Sequence, residues 1–352
     1  MKLAIIAITR NGAHLGARLQ AAHPRADLFV LARFATEAGA QATPFTGELK
    51  VLVARLWSHY HSFAFIMATG IVVRTVAPHL AGKERDPAVV VLDEAGQFAI
   101  SLLAGHLGGA NRLAVELAAA SGGTPVITTA TDVNGLTAWD EAARQAGLRV
   151  EPVGHIKHLN SLLLEGGRIA LVDRRGRVAP LFANTPGIEV HSTFAAALQS
   201  GATGLVFVTH RLIPDLDRRP NLLALRPLDL VVGIGCNRGT SADEIEAVVV
   251  NELGRAFLAF ASVGRLASVQ EKADEAGLLE FAARHALPLD FFTAAQLNIV
   301  AAPSPDSPHA LAAVGARGVC EPAAILAAGG GPLLITKKKC GNVTIAVAER
   351  VD

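Results

Sequence analysis

The stretch DPAVVVLDEAG, residues 86–96, decides the fold prediction. Its apolar part, Ala88 to Leu92, is too short for a typical helix, is rich in β-branched side chains, and is bounded by acidic residues and glycine. These features are typical of a strand. Because the run does not alternate with polar residues, both faces of the strand are expected to be buried.

Similar apolar runs occur elsewhere in the first 130 residues, at positions 2–8, 63–67 and 124–128. Segments of helical composition, at 13–22 and 110–120, lie among them. Buried strands that alternate with helices favour a parallel sheet that is covered on both faces. We therefore predict an N-terminal α/β domain, residues 1–135, with a Rossmann-like, mostly parallel sheet and helices on both of its faces.

The middle of the chain, residues 136–220, is predicted to be a small α/β unit or linker region. Two short apolar runs flank DRRGR, residues 173–177, and this arrangement predicts a hairpin turn. The segment RLIPDLDRRPNLLALRP, residues 211–227, contains three prolines and is the best candidate for a linker, because proline interrupts both helices and ladders.

The last part, residues 228–352, is predicted to be a second α/β domain with α/β/α layers. A strand at 228–232 precedes a glycine-rich turn, and Ser241 with Glu244 forms a capping box that starts a helix. Two apolar runs flank residues 337–342, which include three consecutive lysines, and are predicted to form a terminal hairpin.

Composition narrows the class of protein. The chain has 352 residues, of which 51% are hydrophobic, and its mean hydropathy is +0.37, so a large core is expected. A net charge of +1 and an aromatic content of 5% disfavour nucleic-acid binding. No targeting segment and no run of about 18 apolar residues is evident. We expect a cytoplasmic protein that does not span a membrane.

The three cysteines, Cys236, Cys320 and Cys340, are far apart in the sequence and do not have the spacing of a zinc site. No metal site in the protein is predicted. Charge is distributed unevenly, because residues 1–227 contain 22 basic and 17 acidic side chains, whereas residues 228–352 contain 10 and 14. This asymmetry either biases an anionic ligand toward the N-terminal part or has no functional meaning.

The segment GIGCNRGT, residues 233–240, is one residue longer between its last two glycines than the dinucleotide-binding fingerprint, so a nucleotide-dependent enzyme is disfavoured. Two interpretations remain. The turn offers backbone N–H groups to an anion such as a substrate carboxylate, or it is a tight turn required by packing. The candidate ligand-binding residues are Gly235, Arg238, Gly239, Thr240 and Ser241.

Polar residues also follow two predicted strands of the N-terminal domain. Thr69 and Gly70 come after one strand, and Arg74 lies one helical turn further on, where it can clamp a carboxylate or serve as a surface cation. Asp93 and Glu94 follow the strand at 88–92. They are candidates for a general base, although ordinary turn chemistry explains Asp93 equally well.

The segment SLLAGHLGGAN, residues 101–111, contains His106, whose side chain titrates near neutral pH. Glycines at 105, 108 and 109 allow a ligand to approach the backbone closely. Functional and structural roles for His106 are equally favoured. The segment TTATD, residues 128–132, adds a polar rim, or else it caps a helix. The candidate residues here are Gly105, His106, Gly108, Gly109, Asn111, Thr129 and Thr131.

Several of these blocks together resemble one protein family. The segments MATGIVVR (67–74), DPAVVVLDEAG, SLLAGHLGGANRLA (101–114) and TPVITTATD (124–132) occur in the order found in the N-terminal domain of the CbiG cobalamin-biosynthesis family. The segments VVGIGCNRGTSADEIEAVV (231–249) and GVCEPAAILAA (318–328) resemble the C-terminal, CobE-like domain of the same family.

The resemblance implies hydrolysis of the δ-lactone of cobalt-precorrin-5A in the anaerobic route to vitamin B12, with release of acetaldehyde. The substrate is then a cobalt-containing corrinoid tetrapyrrole, and no cofactor is expected because cobalt arrives with the substrate. Neighbouring enzymes of the pathway are further expected partners. No binding to nucleic acid or to a membrane is expected. The alternative is a tetrapyrrole-binding or handover protein without catalytic activity.

Under the hydrolase hypothesis, lactone opening needs an activated water and stabilisation of an oxyanion. We assign the general base to His106 and the oxyanion site to backbone N–H groups around Gly108 and Gly109. Asp93 or Glu94 would orient the base or assist the carbon–carbon cleavage. The peripheral carboxylates of the substrate would be bound by Thr69, Arg74, Thr129 and Thr131, with the loop from Gly235 to Ser241 completing the pocket.

Overall fold

The computed structural model describes residues 2–82 and 85–351. The chain divides into two compact units. One comprises Met1–Arg144 and Leu163–Glu165, and the other comprises Gln145–Leu162 and Gly166–Asp352. Among the described residues, no helix has both the length and the apolar character that a membrane span requires.

The first unit is built on a seven-stranded sheet with the order β3-β2-β1-β4-β5-β6-β7. Neighbouring strands among the first five in this order are parallel, whereas β6 is antiparallel to β5 and β7 is parallel to β6. The elements are β1 (Leu3–Ala7), α1 (Arg10–Ala22), β2 (Asp27–Leu31), α2 (Ala35–Ala38), β3 (Thr43–Phe45), α3 (Leu49–Leu56), β4 (Ser62–Ile66), α4 (Thr69–Val76), β5 (Ala88–Leu92), β6 (Phe98–Leu103), α5 (Ala110–Ser121), β7 (Thr124–Val126), α6 (Ala130–Val133) and α7 (Trp139–Gln145).

Both faces of this sheet are buried. In β1, Ile5 packs in one hydrophobic cluster with α1 and α5, whereas Ile6 packs in a second cluster that includes residues of α3 and α4. All five residues of β5 are buried as well. This explains why the strands read as continuous apolar runs, and it confirms the α/β class that was predicted from them.

The reversal at β6 has a geometric consequence for the candidate residues. Leu92 at the end of β5 pairs with Ala99, near the start of β6, and Val89 pairs with Leu103, at the end of β6. The carboxyl ends of β4 and β5 therefore lie at one edge of the sheet, and the carboxyl ends of β6 and β7 lie at the opposite edge. No strand is predicted from the sequence at 98–103, so this reversal is a finding of the structure.

The second unit contains two five-stranded sheets, with the orders β10-β9-β11-β12-β8 and β15-β14-β13-β17-β16. Its elements are β8 (Arg149–Glu151), α8 (Ile156–Leu164), which has its last two residues in the first unit, β9 (Ile169–Val172), β10 (Ile188–His191), α9 (Phe194–Gln199), β11 (Gly204–Val208), β12 (Leu222–Arg226), β13 (Leu230–Cys236), α10 (Ala242–Arg255), β14 (Val263–Val269), α11 (Ala276–Arg284), β15 (Leu289–Phe292), α12 (Ala294–Ile299), α13 (Pro308–Val314), α14 (Cys320–Ala327), β16 (Leu333–Cys340) and β17 (Val343–Glu349).

Two local predictions for this unit are wrong. The hairpin expected around 173–177 does not form, because β9 pairs in parallel with β10 and β11 and the chain after the turn enters a short 3-10 helix. The proline-rich linker candidate contains β12, all of whose residues are buried. Its Arg226 is fully buried and donates to Glu151 and to the carbonyl groups of Thr209 and Arg211, which ties the segment into the sheet.

The terminal hairpin is present, but its strands are longer than predicted. Lys337 to Lys339 lie within β16, at the edge of the sheet, rather than in the turn. A run of lysines on an edge strand opposes pairing with another chain, because it places charge beside the unpaired backbone groups.

Candidate active site around His106

The chain between β6 and α5 forms a tight loop that presents His106. The loop begins at Ala104, which has a φ of +54°, a left-handed conformation that is costly for a residue with a side chain. Gly108 packs so closely that a Cβ would lie 2.5 Å from the Cβ of Ala104, and Gly109 adopts a φ of +84°. Gly108 and Gly109 are therefore required by the backbone conformation of the loop, whether or not a ligand binds there.

The imidazole of His106 lies between two carboxylates. Its Nε2 is 2.6 Å from Oδ2 of Asp132, and its Nδ1 is 3.5 Å from Oδ2 of Asp140. The side chain of Asp140 is 9% exposed, whereas that of Asp132 is 36% exposed. The ring thus has a buried acidic partner on one side and a more accessible one on the other.

Two polar side chains, in addition to His106, hold Asp132 in place. Thr129 donates to Oδ2 of Asp132 at 2.7 Å, and the amide of Asn111 donates to the same oxygen at 3.2 Å. Asn111 also donates to Thr129 and accepts from the hydroxyl of Ser101 on β6, so its orientation is fixed. The Thr131 hydroxyl lies 3.4 Å from His106 Nε2. The loop, α5 and the segment after β7 therefore share one hydrogen-bonded network.

The two carboxylates change the protonation of His106. Burial is the largest influence and lowers the pKa of the imidazole, but hydrogen bonds to Asp140 and Asp132 together outweigh it and raise the pKa to about 9. At neutral pH the ring is an imidazolium with a proton on each nitrogen. It is therefore a proton donor in this structure, and the sequence-based assignment of His106 as the resting general base is not supported.

The raised pKa gives a stability prediction. A pKa of about 9 in the folded state, against 6.5 for an ordinary histidine, means that charged His106 stabilises the fold fully below pH 6.5. This contribution is lost as the pH rises through about 9. We expect the melting temperature of the protein to exceed that of the His106→Gln variant most at pH 6, and the difference to shrink by pH 10. A difference that is constant with pH would contradict the assignment.

One of the two backbone N–H groups proposed for the oxyanion site, that of Gly109, is already engaged. The N–H of Gly109 donates to the carbonyl of His106 at 3.0 Å, and the next two N–H groups donate to Ala104 and Gly105 at 3.1 and 3.0 Å. These bonds close the loop onto the start of α5. They engage the N–H groups at 109–111, and an oxyanion site formed by the backbone around Gly108 stays a prediction.

The structure does not bring Asp93 or Glu94 to His106. The carboxylate of Asp93 accepts from the backbone N–H groups of Ala95, Gln97 and Phe98, and Glu94 accepts from the amide of Asn11. Partial burial raises the pKa of Asp93, but these backbone bonds outweigh it and hold the pKa below its usual value. Because β6 separates the two positions, they lie roughly 17 Å apart along the strand, at about 3.3 Å per residue.

Thr69, Gly70 and Arg74 also belong to the opposite edge. The first two start α4 after β4, and the guanidinium of Arg74 donates to the carbonyl of Gly70 at 3.1 Å. Their role as carboxylate ligands stays a prediction. Of the candidates in the first unit, the structure brings Asn111, Thr129 and Thr131 into the network around His106, with Gly105, Gly108 and Gly109 shaping its loop.

The candidates in the glycine-rich segment lie in the second unit and are held by internal contacts. Gly235 is part of β13, and Ser241 caps α10 by accepting from the N–H of Glu244. The N–H of Gly239 donates to buried Glu275, and Arg238 pairs with Asp274. The anion expected at this helix N-terminus is thus supplied by the protein's own Glu275.

The remaining candidate, Thr240, is held in the same way, because its hydroxyl donates to the carbonyl of Asn237 and its side chain is buried. Nothing in these contacts places a ligand at the segment, and its role in substrate binding stays a prediction.

Sequence reasoning missed one of the two acids that flank His106. The TTATD segment contains Asp132, which was noted as part of a polar rim but not assigned a role. Asp140 lies in the first turn of α7, where acidic residues are common because they favour the positive end of the helix dipole. Nothing in the sequence distinguishes Asp140 from an ordinary residue of this kind.

Three models of one protein family match successive parts of the chain. Residues 51–132 match the family model "Cobalamin synthesis G N-terminal", residues 137–227 match "Cobalamin biosynthesis central region", and residues 230–348 match "Cobalamin synthesis G C-terminus". The N-terminal match ends at Asp132, so it includes the His106 loop.

Two relatives are similar over nearly the whole chain. A cobalt-precorrin-5A hydrolase from Priestia megaterium is 36% identical, with 98% of this chain and 94% of the relative aligned. One from Salmonella typhimurium is 32% identical, with 98% and 97% aligned. The crystal structure of CobE, from the cobalamin biosynthetic pathway, is 34% identical and covers 35% of this chain and 90% of CobE, with a TM-score of 0.32. The chain is therefore a member of the CbiG family of cobalamin-biosynthesis proteins.

Proposed function

We propose that the protein hydrolyses the δ-lactone of cobalt-precorrin-5A and releases acetaldehyde, giving cobalt-precorrin-5B in anaerobic cobalamin biosynthesis. The proposal rests on the similarity of nearly the whole chain to two proteins named cobalt-precorrin-5A hydrolase. The imidazolium held between two carboxylates at His106 supplies the proton-transfer group that such a reaction needs. Cobalt is proposed to enter as part of the substrate.

The reaction consumes one water and has two bond-breaking steps. Water adds to the lactone carbonyl and the acyl C–O bond breaks, which gives a carboxylate and an alcohol on the extruded carbon. The alcohol then loses its proton, and the bond from its carbon to the macrocycle breaks. The electron pair remains on the macrocycle, which takes up a proton, and the two-carbon fragment leaves as acetaldehyde. Each step therefore moves a proton to or from an oxygen or carbon of the substrate.

His106 is suited to supply protons in these steps. Buried Asp140 faces Nδ1 and fixes the ring, while Nε2 points to Asp132 at the more accessible side. A buried carboxylate that orients one nitrogen while the other exchanges protons is an established arrangement for histidine catalysis. We propose that the Nε2–H protonates the departing alkoxide, and that Asp132 accepts the proton of the attacking water.

Acetaldehyde formation tests the proposal directly. Purified protein incubated with cobalt-precorrin-5A should release one acetaldehyde per substrate consumed, measured by enzymatic reduction of the acetaldehyde. Mass spectrometry of the corrinoid should show the gain of one water and the loss of one acetaldehyde, a net loss of C₂H₂. The handover alternative predicts binding of the corrinoid, seen by its absorbance co-eluting with the protein, without acetaldehyde. That outcome would overturn the hydrolase proposal.

The position of Glu94 gives a second prediction. Since Glu94 lies beyond the opposite end of β6 and contacts Asn11, Glu94→Gln is expected to keep acetaldehyde release within about twofold of the unmodified protein, as surface substitutions away from a site usually have small effects. The initial rate at saturating substrate checks this. A loss of a hundredfold or more would restore Glu94 to the candidate catalytic groups and remove support from the network around His106.

A further inference from the structure

Three uncharged side chains, those of Ser101, Asn111 and Thr129, form a line of hydrogen bonds that we call the support chain of Asp132. The hydroxyl of Ser101, on β6, donates to Oδ1 of Asn111 at 2.7 Å. Nδ2 of Asn111 donates to the hydroxyl of Thr129 at 2.9 Å and to Oδ2 of Asp132 at 3.2 Å. The Thr129 hydroxyl donates to the same Oδ2 at 2.7 Å. The support chain therefore links β6, α5 and the start of α6 to one oxygen of Asp132.

The carboxylate at the end of the support chain determines the direction of each of its hydrogen bonds. An ionised carboxylate only accepts, so the amide of Asn111 turns its NH₂ group toward Asp132 and leaves its oxygen to accept from Ser101. The hydroxyl of Thr129 has a single proton, and this proton lies in the bond to Asp132. In this arrangement Thr129 has no further proton for a carboxylate of the substrate. Positioning of Asp132 and binding of substrate are therefore alternative roles for Thr129.

Thr129 occupies the position of a helix cap but does not act as one. It is the N-cap residue of α6, and its side chain accepts no hydrogen bond from that helix. A threonine at this position usually accepts from a backbone N–H group of the first turn, as Thr9 does at α1 and Thr193 does at α9. The hydroxyl of Thr129 bonds to Asp132 instead. Its contact with Asp132 therefore explains this side chain better than helix capping does.

Gly105 leaves the space that the amide of Asn111 occupies. A Cβ built at Gly105 would lie 2.8 Å from Oδ1 of Asn111 and 3.2 Å from its Cγ. The carbonyl of Gly105 also accepts from the backbone N–H of Asn111 at 3.0 Å, and Asn111 is only 8% exposed. The amide is thus enclosed by the His106 loop. Packing as well as hydrogen bonding fixes the position of its NH₂ group.

The two carboxylate oxygens of Asp132 have different surroundings. Oδ2 has three hydrogen-bonding partners, namely Asn111, Thr129 and Nε2 of His106, which lies 2.6 Å away. Oδ1 has no donor in the part of the chain that the structure describes. The side chain of Asp132 is 36% exposed. Because three groups surround Oδ2, the accessible part of this carboxylate is on the side of Oδ1.

We propose that the support chain consists of positioning residues, which hold Asp132 by Oδ2 and so present Oδ1 to the water that attacks the lactone. One proton of the water passes to Oδ1, and the remaining hydroxide adds to the lactone carbonyl carbon. A general base must lie within hydrogen-bond reach of the proton that it accepts, so free rotation of the carboxylate would slow this step. The identity of the step rests on the proposed function, whereas the hold on Asp132 can be measured without substrate.

Steady-state kinetics of acetaldehyde release separate positioning from substrate binding at Thr129. Thr129→Val keeps the shape of the side chain and removes the donor, so kcat should fall by about tenfold with KM within about twofold, since a hydrogen bond to a charged group contributes a factor of this order. Thr129→Ser restores the donor and should recover about half of the rate or more. The matched control is Thr36→Val, because the hydroxyl of this exposed threonine also donates to a carboxylate, that of Glu37. It should change neither constant.

Two outcomes for Thr129→Val would overturn the positioning role. One is a rise in KM at unchanged kcat, which would identify Thr129 as a ligand of the substrate. The other is a variant with unchanged kcat and KM. Thermal unfolding of each variant establishes that it is folded at the temperature of the assay.

Proton NMR of protein with ¹⁵N-labelled histidine measures the hold on Asp132 without substrate. At neutral pH the proton on Nε2 of His106, in its short bond to Asp132, should give a downfield signal that exchanges slowly with water and is missing in His106→Gln. The signal should persist in Thr129→Ser and in Thr36→Val. In Thr129→Val its exchange should be at least about tenfold faster, because the carboxylate that covers the proton is released.

Gly105→Ala is a second variant, which keeps every hydrogen-bonding group of the support chain. Its Cβ would force the amide of Asn111 to move, so kcat should fall and exchange of the Nε2 proton should rise, each by about tenfold. Unchanged exchange in both Thr129→Val and Gly105→Ala would show that the support chain does not hold Asp132. If the unmodified protein forms no acetaldehyde, the proposed function fails, and the exchange rates still decide whether Asp132 is held.

Discussion

Replacing His106 with glutamine is expected to lower kcat for acetaldehyde release by about 10²- to 10⁴-fold, the range for loss of a positioned acid–base group. Glutamine keeps a hydrogen-bond donor between Asp132 and Asp140 but has no proton to transfer, so the substitution removes the chemistry while preserving much of the contact. The measurement is the single-turnover rate of acetaldehyde formation with enzyme in excess, at a temperature where the variant is folded.

A positioning variant and a control distinguish proton transfer from a structural role. Asp140→Asn removes a charge that raises the pKa of His106, so the descending limb of the pH–rate profile should move from about pH 9 toward lower pH. Glu116→Gln removes an exposed acid on α5 that pairs with Arg112 and should leave the profile unchanged. A His106→Gln enzyme with the full rate, or an Asp140→Asn profile that does not move, would exclude the proposed role.

Gly233→Ala is expected to destabilise the second unit by about 3 kcal/mol, near the upper end of the usual cost of overpacking. A Cβ at this position would lie 1.9 Å from the carbonyl oxygen of Cys320 and 2.8 Å from the N of Ala324, both in the backbone of α14. Because a backbone cannot rotate out of the way, α14 would have to move away from β13. Differential scanning calorimetry should show a melting temperature lower by roughly 6–12 °C.

The matched control is Gly254→Ala in α10. No atom lies within 4 Å of a Cβ built there, and the residue is helical, so the substitution should be neutral or stabilise the unit by up to about 1 kcal/mol. If Gly233→Ala melted like the unmodified protein, the contact between β13 and α14 would not limit stability. The close packing of α14 on β13 also explains the first glycine of the segment 233–240, which resembled a dinucleotide fingerprint. Gly233 is required there because the backbone of α14 leaves no room for a Cβ.

The class of the fold was predictable because strands that are buried on both faces of a sheet consist of uninterrupted apolar residues. Strands such as β1, β4 and β5 are uninterrupted apolar runs, and the N-terminal prediction from them is confirmed. The strand β6 was not identified, because only its second residue is fully buried and its composition does not stand out. Its direction depends on pairing with β5, which is a tertiary contact that local sequence does not encode.

The candidate site was predictable in part for a related reason. Glycines around His106 and hydroxyls near 129 are local features, and they mark the loop and the network that the structure contains. The partners of His106 depend on how α7 and the segment after β7 meet the loop, so Asp140 could not be identified. Asp93 or Glu94 was proposed as a partner of His106, but the antiparallel β6 places the two positions at opposite ends of that strand.

The carboxylates that flank His106 also bear on how the product would leave. With one imidazolium and two carboxylates, the cluster has a net charge of about −1 at neutral pH. The lactone is uncharged at the reacting group, but under the proposed mechanism its opening would create a new anion beside Asp132. Two like charges about 4 Å apart repel by about 1 kcal/mol in water and by more in a partly buried site. Under the proposed mechanism, this repulsion would weaken the binding of the carboxylate product relative to the lactone, and so would favour release of the product once the second bond has broken.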